Sequence, residues 1–245
     1  MSAAELAWRA FPLLLGPFAG DYAATFAASW PRLPRPLVGR TRCARCGAPI
    51  PALHQIPIAS WLAFRGRRAC CGGRIPAVYP IGEAAGLMAG VAAGLAPSPA
   101  VSAFTFALGL TLTYLALVDL RRFSLPVAGL VALGGEAVVL LAASPDELFA
   151  RLATGGVLAL VFAVLSRMRP GGRRAGLGEG DVVLAGLLGV LVSWRLAAPM
   201  ICLATLPPIL AQYPWRKSHP TPLGFWLNLS AAVVLLAGRL NLASR

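Results

Sequence analysis

The chain has 245 residues, of which 58% are hydrophobic and only 13% charged, and its mean hydropathy is +0.72. Soluble domains carry about 25% charged and about 45–50% apolar residues, so this composition excludes disorder, nucleic-acid wrapping and ordinary cytosolic folding. A formal net charge of +13 would point to a polyanion partner in a soluble protein. In a membrane chain, loop arginines set orientation instead.

The fold class expected is all-α: a polytopic integral membrane protein of about eight transmembrane helices with a cysteine-containing cytoplasmic loop. The apolar runs fall at 10–30, 82–96, 100–119, 125–143, 148–166, 181–194, 196–213 and 222–238. A crossing helix needs roughly 20 residues, so the second and sixth runs are short. Residues 1–30 hold the first span, 31–80 the loop and 81–245 the membrane-embedded remainder. Met1 to Arg9 carries Glu5 and runs on without a small-residue cleavage site, so no cleavable signal peptide is expected. Pro97-Ser98-Pro99 and Ser144-Pro145-Asp146-Glu147 break the apolar runs.

The loop 31–80 contains nine arginines and no acid. It also holds four of the five cysteines, in an imperfect repeat at an offset of 25 residues. Arg42-Cys43-Ala44-Arg45-Cys46-Gly47-Ala48-Pro49-Ile50 matches Arg67-Arg68-Ala69-Cys70-Cys71-Gly72-Gly73-Arg74-Ile75. Two such knuckles are similar to a zinc ribbon, in which paired thiolates complete a tetrahedral site. A reducing cytoplasm favours metal over disulfide for this pattern. In the second knuckle Arg68 stands where the first has Cys43, and Cys70 sits beside Cys71. Adjacent cysteines are awkward ligands for one ion, so Cys43, Cys46, Cys70 and Cys71 read either as zinc ligands or as a metal-free structural loop. Cys202, alone in an apolar run, reads as core packing.

Further basic clusters follow at Arg121-Arg122, at Arg167, Arg169, Arg173 and Arg174, and at Arg216-Lys217. With the first loop they hold 17 of the 22 basic residues, all on alternate connections. Short basic loops stay cytoplasmic, which places both termini on the outer side. Orientation alone accounts for these arginines; binding of anionic lipid or substrate is a further role they leave open.

An ionised acid inside a bilayer costs about 2.5–3.5 kcal/mol on insertion scales, so each one needs a reason. Asp119 closes the third run and Asp181 opens the sixth, directly after Gly178-Glu179-Gly180. On the topology above, both lie at the cytoplasmic rim. Each has a plain structural reading: Asp181 as a helix N-cap and Asp119 as the partner of Arg122. Glu83 and Glu136 read as polar contacts between helices. If the third and sixth helices touch, two carboxylates share one site. One, ionised, takes a proton from water as it attacks a peptide carbonyl; the other, protonated, polarises that carbonyl and helps protonate the leaving amine. Gly178 and Gly180 allow a sharp bend and close approach of a substrate strand.

At this point the sequence resembles the type IV prepilin leader peptidases, a family of polytopic bacterial aspartic proteases. The resemblance is carried by Ile56-Pro57-Ile58-Ala59-Ser60-Trp61-Leu62 with Arg65-Gly66-Arg67, by Tyr79-Pro80-Ile81 with Glu83, and by Ala116-Leu117-Val118-Asp119 with Leu125-Pro126. The fourth motif, Gly178-Glu179-Gly180-Asp181, is a G-x-G-D signature. The resemblance implies that the chain cleaves the basic leader of prepilins or pseudopilins at the cytoplasmic face of the bacterial inner membrane, with Asp119 and Asp181 as the catalytic pair. It implies no cofactor for proteolysis. Many members then methylate the new N-terminus with S-adenosylmethionine, and the cysteine loop would support that end. The chain departs from the family pattern at Val127, at Val183, and at Gly20-Asp21-Tyr22-Ala23-Ala24, where the family has Gly-Ser-Phe-x-Asn. The alternatives are a catalytically inactive relative serving as an assembly or scaffold component of a pilus or secretion machine, and a small-ion or solute carrier.

Overall fold

A computed structural model of the chain describes residues 2–32, 42–43, 45–168, 178–212 and 222–243, with backbone alone for 208–212 and 238–243. Among these residues every regular element is helical, apart from two isolated bridges in the cysteine loop. The helices are α1 (Ala3–Ser29), α2 (Ala59–Ala63), α3 (Val78–Gly94), α4 (Pro99–Arg122), α5 (Val127–Ala143), α6 (Leu148–Arg167), α7 (Glu179–Val192), α8 (Trp194–Gln212) and α9 (Leu223–Ala243). Each of the eight apolar runs lies on one of the long helices. Two stretches, Pro99–Arg122 and Pro145–Arg167, are long and apolar enough to cross a membrane. The basic positions Arg169, Arg173, Arg174, Arg216 and Lys217 lie outside the described residues.

The chain forms two compact units, Met1–Tyr114 and Leu115–Arg245. The first is built on α1 and α3, whose contact is made by backbone. Gly16 and Gly20 on α1 face Gly82 and Gly86 on α3, and Gly90 faces the Pro12 carbonyl; a β-carbon at Gly20 would overlap the Gly82 carbonyl, and one at Gly86 the Gly16 carbonyl. Glycines four residues apart line one stripe of a helix, so this spacing lets two helices close without side chains between them. The surrounding core is alanine: Ala24, Ala27, Ala93 and Ala96 are fully buried.

The second unit is built around α7, which packs against α5, α6, α8 and α9. Its core is leucine, with Leu115, Leu117, Leu133, Leu184, Leu188 and Leu227 almost wholly buried. The α6–α7 contact again uses glycine, Gly155 against Gly186 and Gly189. Outward faces are apolar too: Val127 and Val131 on α5 and Phe149 and Leu160 on α6 are each more than 60% exposed. Apolar surface this continuous is rare on soluble monomers and suits lipid.

An arginine closes the C-terminus of the shorter helix in each glycine-packed pair, α3 and α7. Arg9, paired with Glu5 at 3.1 Å, donates Nη1–H to the Gly94 carbonyl at the end of α3 (3.2 Å). Arg151, paired with Glu147 at 2.6 Å, donates to the Val190 and Leu191 carbonyls at the end of α7 (3.1 and 3.3 Å). The last carbonyls of a helix have no intrahelical donor and carry its negative end, so a guanidinium there satisfies both demands.

The glycine seam gives a direct test. Gly86→Leu has no room at the α1–α3 crossing and is expected to cost about 1–3 kcal/mol or more, by overpacking. Gly135→Ala in α5, where a β-carbon meets nothing within 4 Å, should be neutral or stabilising by up to about 1 kcal/mol through helix propensity. Thermal denaturation of the two purified variants in one detergent separates them.

Candidate functional site

Asp119 lies in the last turn of α4, the negative end of its own helix, and is 5% exposed. Its carboxylate is held by a different helix. The backbone N–H of Phe225 donates to Asp119 Oδ2 at 2.8 Å, and Gly224 packs against the same oxygen. Both belong to the first turn of α9, which follows Pro222. Proline has no side chain able to accept these orphan N–H groups, so Asp119 caps α9 from outside. Exposed Arg122 makes no ion pair with it. The local Asp119–Arg122 pairing that the sequence suggests is therefore replaced by a bond 106 residues distant. A helix N-terminus outcompetes a solvated guanidinium for a buried carboxylate because its donors are already fixed in place.

Asp181 occupies the first turn of α7 and is half-buried. Gly178, not Asp181, is the N-cap. Asp181 Oδ2 accepts from Gly178 N at 2.9 Å, the acid half of a capping box, while Asp181 N donates to the Gly178 backbone carbonyl at 3.1 Å because glycine has no side chain to complete it. Leu125 ties the two neighbourhoods together. A β-carbon on Gly180 would touch Leu125 Cβ at 3.3 Å, and one on Gly224 would meet both Leu125 Cδ2 (3.3 Å) and Asp119 Oδ2 (3.0 Å). Glycine at both positions lets one leucine seat against the starts of α7 and α9, beside the two acids. In each carboxylate one oxygen is anchored to backbone, and Oδ1 has no hydrogen bond among the described residues.

The cysteine loop folds as two matching knuckles. Cys43 N bonds to the Ala48 carbonyl and Arg68 N to the Gly73 carbonyl, each at 2.8 Å. Gly47 N bonds to the Cys43 carbonyl and Gly72 N to the Arg68 carbonyl, at 2.8 and 2.9 Å. Bridges Arg42–Pro49 and Arg67–Arg74 close the two turns, and Gly47 and Gly72 adopt the positive φ (72° and 63°) that the turns require. The 25-residue repeat is thus structural as well as sequential. Relative to each other the knuckles exchange one arginine and one cysteine: Cys43 and Arg45 in the first, Arg68 and Cys70 in the second.

That exchange brings four sulfurs together rather than scattering them. All four Sγ atoms lie within 4.8 Å of one another, with Cys43–Cys71 at 3.9 Å and Cys46–Cys70 at 3.3 Å. A tetrahedral site with Zn–S of ~2.3 Å has sulfurs ~3.8 Å apart, so the donor set and its spacing fit a zinc ion. The adjacency of Cys70 and Cys71 is no obstacle, because each turns to a different cysteine of the first knuckle. Backbone N–H groups of Cys46 and Arg45 hold the Cys43 thiol down at about 5. Cys70 is pushed up to about 12, first by its contact with Cys46 and then with Cys43. Arg68 Nη1 donates to Cys43 Sγ at 3.5 Å, placing a positive charge against the cluster.

Two other expectations change. Glu83 does not bridge helices; its Oε2 accepts the backbone N–H of Ile58 in the loop at 2.6 Å. Cys202 is exposed on α8 rather than packed in a core. The residues that sequence reading missed are Gly224 and Phe225, while Leu125 was read only as part of the Asp119 motif and not as the contact between the two helix starts. Their one signal is Pro222, which opens an apolar helix while supplying no cap of its own.

Among the described residues, the chain combines apolar helices, an acid at each of two helix N-termini and a cluster of four thiols. Residues 14–96 match the bacterial peptidase A24 N-terminal domain. The prepilin leader peptidase/N-methyltransferase of Dickeya chrysanthemi is 30% identical over 247 residues, covering 95% of this chain and 83% of that protein. Those of Pectobacterium carotovorum subsp. carotovorum (27%, 82% and 75%) and Burkholderia pseudomallei (30%, 82% and 68%) are similar. No solved structure matches the chain. The chain belongs to the prepilin leader peptidase family.

The α9 cap separates two substitutions at one position. Asp119→Asn keeps an acceptor oxygen for Phe225 N–H and should melt within a degree or two of the parent, whereas Asp119→Ala should lose about 1–2 kcal/mol, or roughly 2–8 °C. Differential scanning fluorimetry on the two variants reads the difference. Equal melting temperatures would mean that the cap contributes nothing.

Proposed function

We propose that the chain is an aspartic endopeptidase that removes the leader peptide of type IV prepilins or pseudopilins at the cytoplasmic face of the bacterial inner membrane. The reading rests on family membership together with one observation: each of two acids has one oxygen anchored to a helix N-terminus and the other uncommitted. Anchored acids cannot swing away, and their remaining oxygens are available to a single water. The ionised member removes a proton from that water as it adds to the scissile carbonyl. The protonated member donates to the carbonyl oxygen and then assists departure of the amine.

The long apolar helices cross the bilayer, the arginine-rich loops lie inside and both termini lie outside, as the charge bias of the connections implies. The partners are then a prepilin substrate and the lipid bilayer. The basic rim does not attract a basic leader, so recognition rests on the apolar segment that follows it. Cys43, Cys46, Cys70 and Cys71 hold zinc, which supplies no step of proteolysis and locks the two knuckles as one unit. The relatives' names also carry an N-methyltransferase, which would act on the amine that cleavage exposes, with S-adenosylmethionine as methyl donor.

Co-expression of the chain with a pilin, followed by mass measurement of the pilin, reads leader loss and one added methyl group in a single spectrum. Asp119→Asn and Asp181→Asn should each reduce leader removal by about 10³-fold or more while the protein still inserts, because general acid–base catalysis of this kind is worth about 10²–10⁴-fold. Full processing by either variant would refute the pair.

Zinc content is measured independently of cleavage. The purified chain should carry one zinc per molecule, falling well below half in Cys70→Ser and unchanged in Cys202→Ser. Retention of metal by Cys70→Ser would remove Cys70 from the ligand set.

A further inference from the structure

The loop between α1 and α3 carries an apolar surface that neither the acid pair nor the cysteine cluster uses. Leu53 is 71% exposed, Leu62 62%, Ile56 46% and Phe64 40%. They belong to one small body: the turn Ala52–Gln55 packs on α2, and His54 stacks on Phe64 with ring centroids 3.7 Å apart. Arg65 and Arg67 follow directly, both exposed. The loop 31–80 holds no acid at all.

The depth of this body is set by one bond. Ile58, which begins the approach to α2, donates its N–H to Glu83 Oε2. Glu83 is not at the end of α3 but five residues inside it, ~7.5 Å along the axis from Val78 at 1.5 Å per residue. The 17 residues of α3 give ~25 Å, less than the ~30 Å hydrocarbon core. Its far end is fixed by Arg9 and Glu5, charged groups that belong at an interface. A helix held there falls short of the opposite boundary, and the Glu83 bond holds Ile58 beside its first turns rather than out in solvent. Ile58 also has φ 61°, a conformation that a β-branched residue avoids, so the Glu83 contact holds the chain where it would not otherwise stay.

The geometry points to a membrane-interface anchor: residues 52–67 lie in the headgroup region of an anionic leaflet, with Leu53, Ile56, Leu62 and Phe64 among the acyl chains and Arg65 and Arg67 on lipid phosphates. The inference rests on the membrane reading given above and adds an occupant to it. Exposed aliphatic and aromatic side chains with adjacent arginines are what interfacial segments present. A loop with nine arginines and no acid is complementary to phosphatidylglycerol rather than to a zwitterionic surface. The covalent neighbours, α1 and α3, already bring the segment to the bilayer. Glu83 is the latch that sets its depth.

The test is amide hydrogen exchange on the full chain in nanodiscs of phosphatidylcholine alone and of phosphatidylcholine with phosphatidylglycerol. Peptides covering 52–67 should exchange roughly tenfold more slowly in the anionic discs, as expected for two arginines at a charged surface. The difference should vanish in the double variant L53E/L62E, whose positions are the most exposed of the four and leave the His54–Phe64 stack in place. Equal exchange in both discs, or protection that the double variant retains, would overturn the anchor. Protection appearing only when prepilin is added would assign the surface to substrate instead and overturn it equally. Extraction of the chain by alkaline carbonate would overturn the membrane reading itself, and the anchor with it, which separates that failure from the others.

Discussion

Both acids of the candidate site are held by the positive ends of helices. Asp181 closes the first turn of its own helix α7 through Gly178 N, and Asp119, at the unfavourable end of α4, reaches the first turn of α9. The consequence for chemistry is geometric as well as electrostatic. A carboxylate with one oxygen fixed at 2.8–2.9 Å has lost most of its rotational freedom before any substrate arrives. Catalysis by paired acids depends on that loss having been made in advance, since the water must meet both groups at once. Leu125, touching the starts of α7 and α9, supplies the packing that keeps these two helix ends in register.

Each compact unit solves the same packing problem with the same means. A long helix lies against a shorter one, α1 against α3 and α6 against α7, and glycines remove the side chains from the seam. Close backbone approach and dispersion carry the association at such a seam. The last carbonyls of the shorter helix then need a donor. A Glu-x-x-x-Arg pair on the longer helix provides it, at Glu5–Arg9 and at Glu147–Arg151. Two of the five basic residues outside the basic connections, Arg9 and Arg151, are thus helix caps.

Much of the helical layout was legible because apolar runs bounded by proline, glycine and arginine leave little choice of boundary. The 125–143 run becomes Val127–Ala143 and the 148–166 run becomes Leu148–Arg167. The two aspartates were legible as unusual acids at helix ends, but their partners were not. Asp119 and Phe225 are 106 residues apart, and local reasoning offered Arg122 instead. The glycine seam was present in the sequence as Gly16/Gly20 and Gly82/Gly86/Gly90, yet four-residue spacing of small residues is common in apolar helices and does not name its partner. The loop repeat was visible, but its apparent defect was not interpretable. Adjacent cysteines look wrong for one ion until the backbone turns are known.

That apparent defect shows how a cluster of four thiols tolerates an exchange of residues. Within each knuckle the second and fourth positions both face the cluster: Cys43 and Arg45 in one, Arg68 and Cys70 in the other. Arg45 lies against Gly73 and Arg68 against the Cys43 sulfur. Swapping a cysteine for an arginine at one position and the reverse two residues on therefore conserves four thiols and keeps a guanidinium beside each knuckle. Four thiolates around a divalent ion leave a net charge of −2, and neighbouring cations lower the cost of gathering it. Zinc has no d-electron preference of its own, so it accepts any four sulfurs that the backbone can bring to a tetrahedron. The donor count and the nearby positive charge are what this fold preserves; the strict Cys-x-x-Cys spacing of the second knuckle is not.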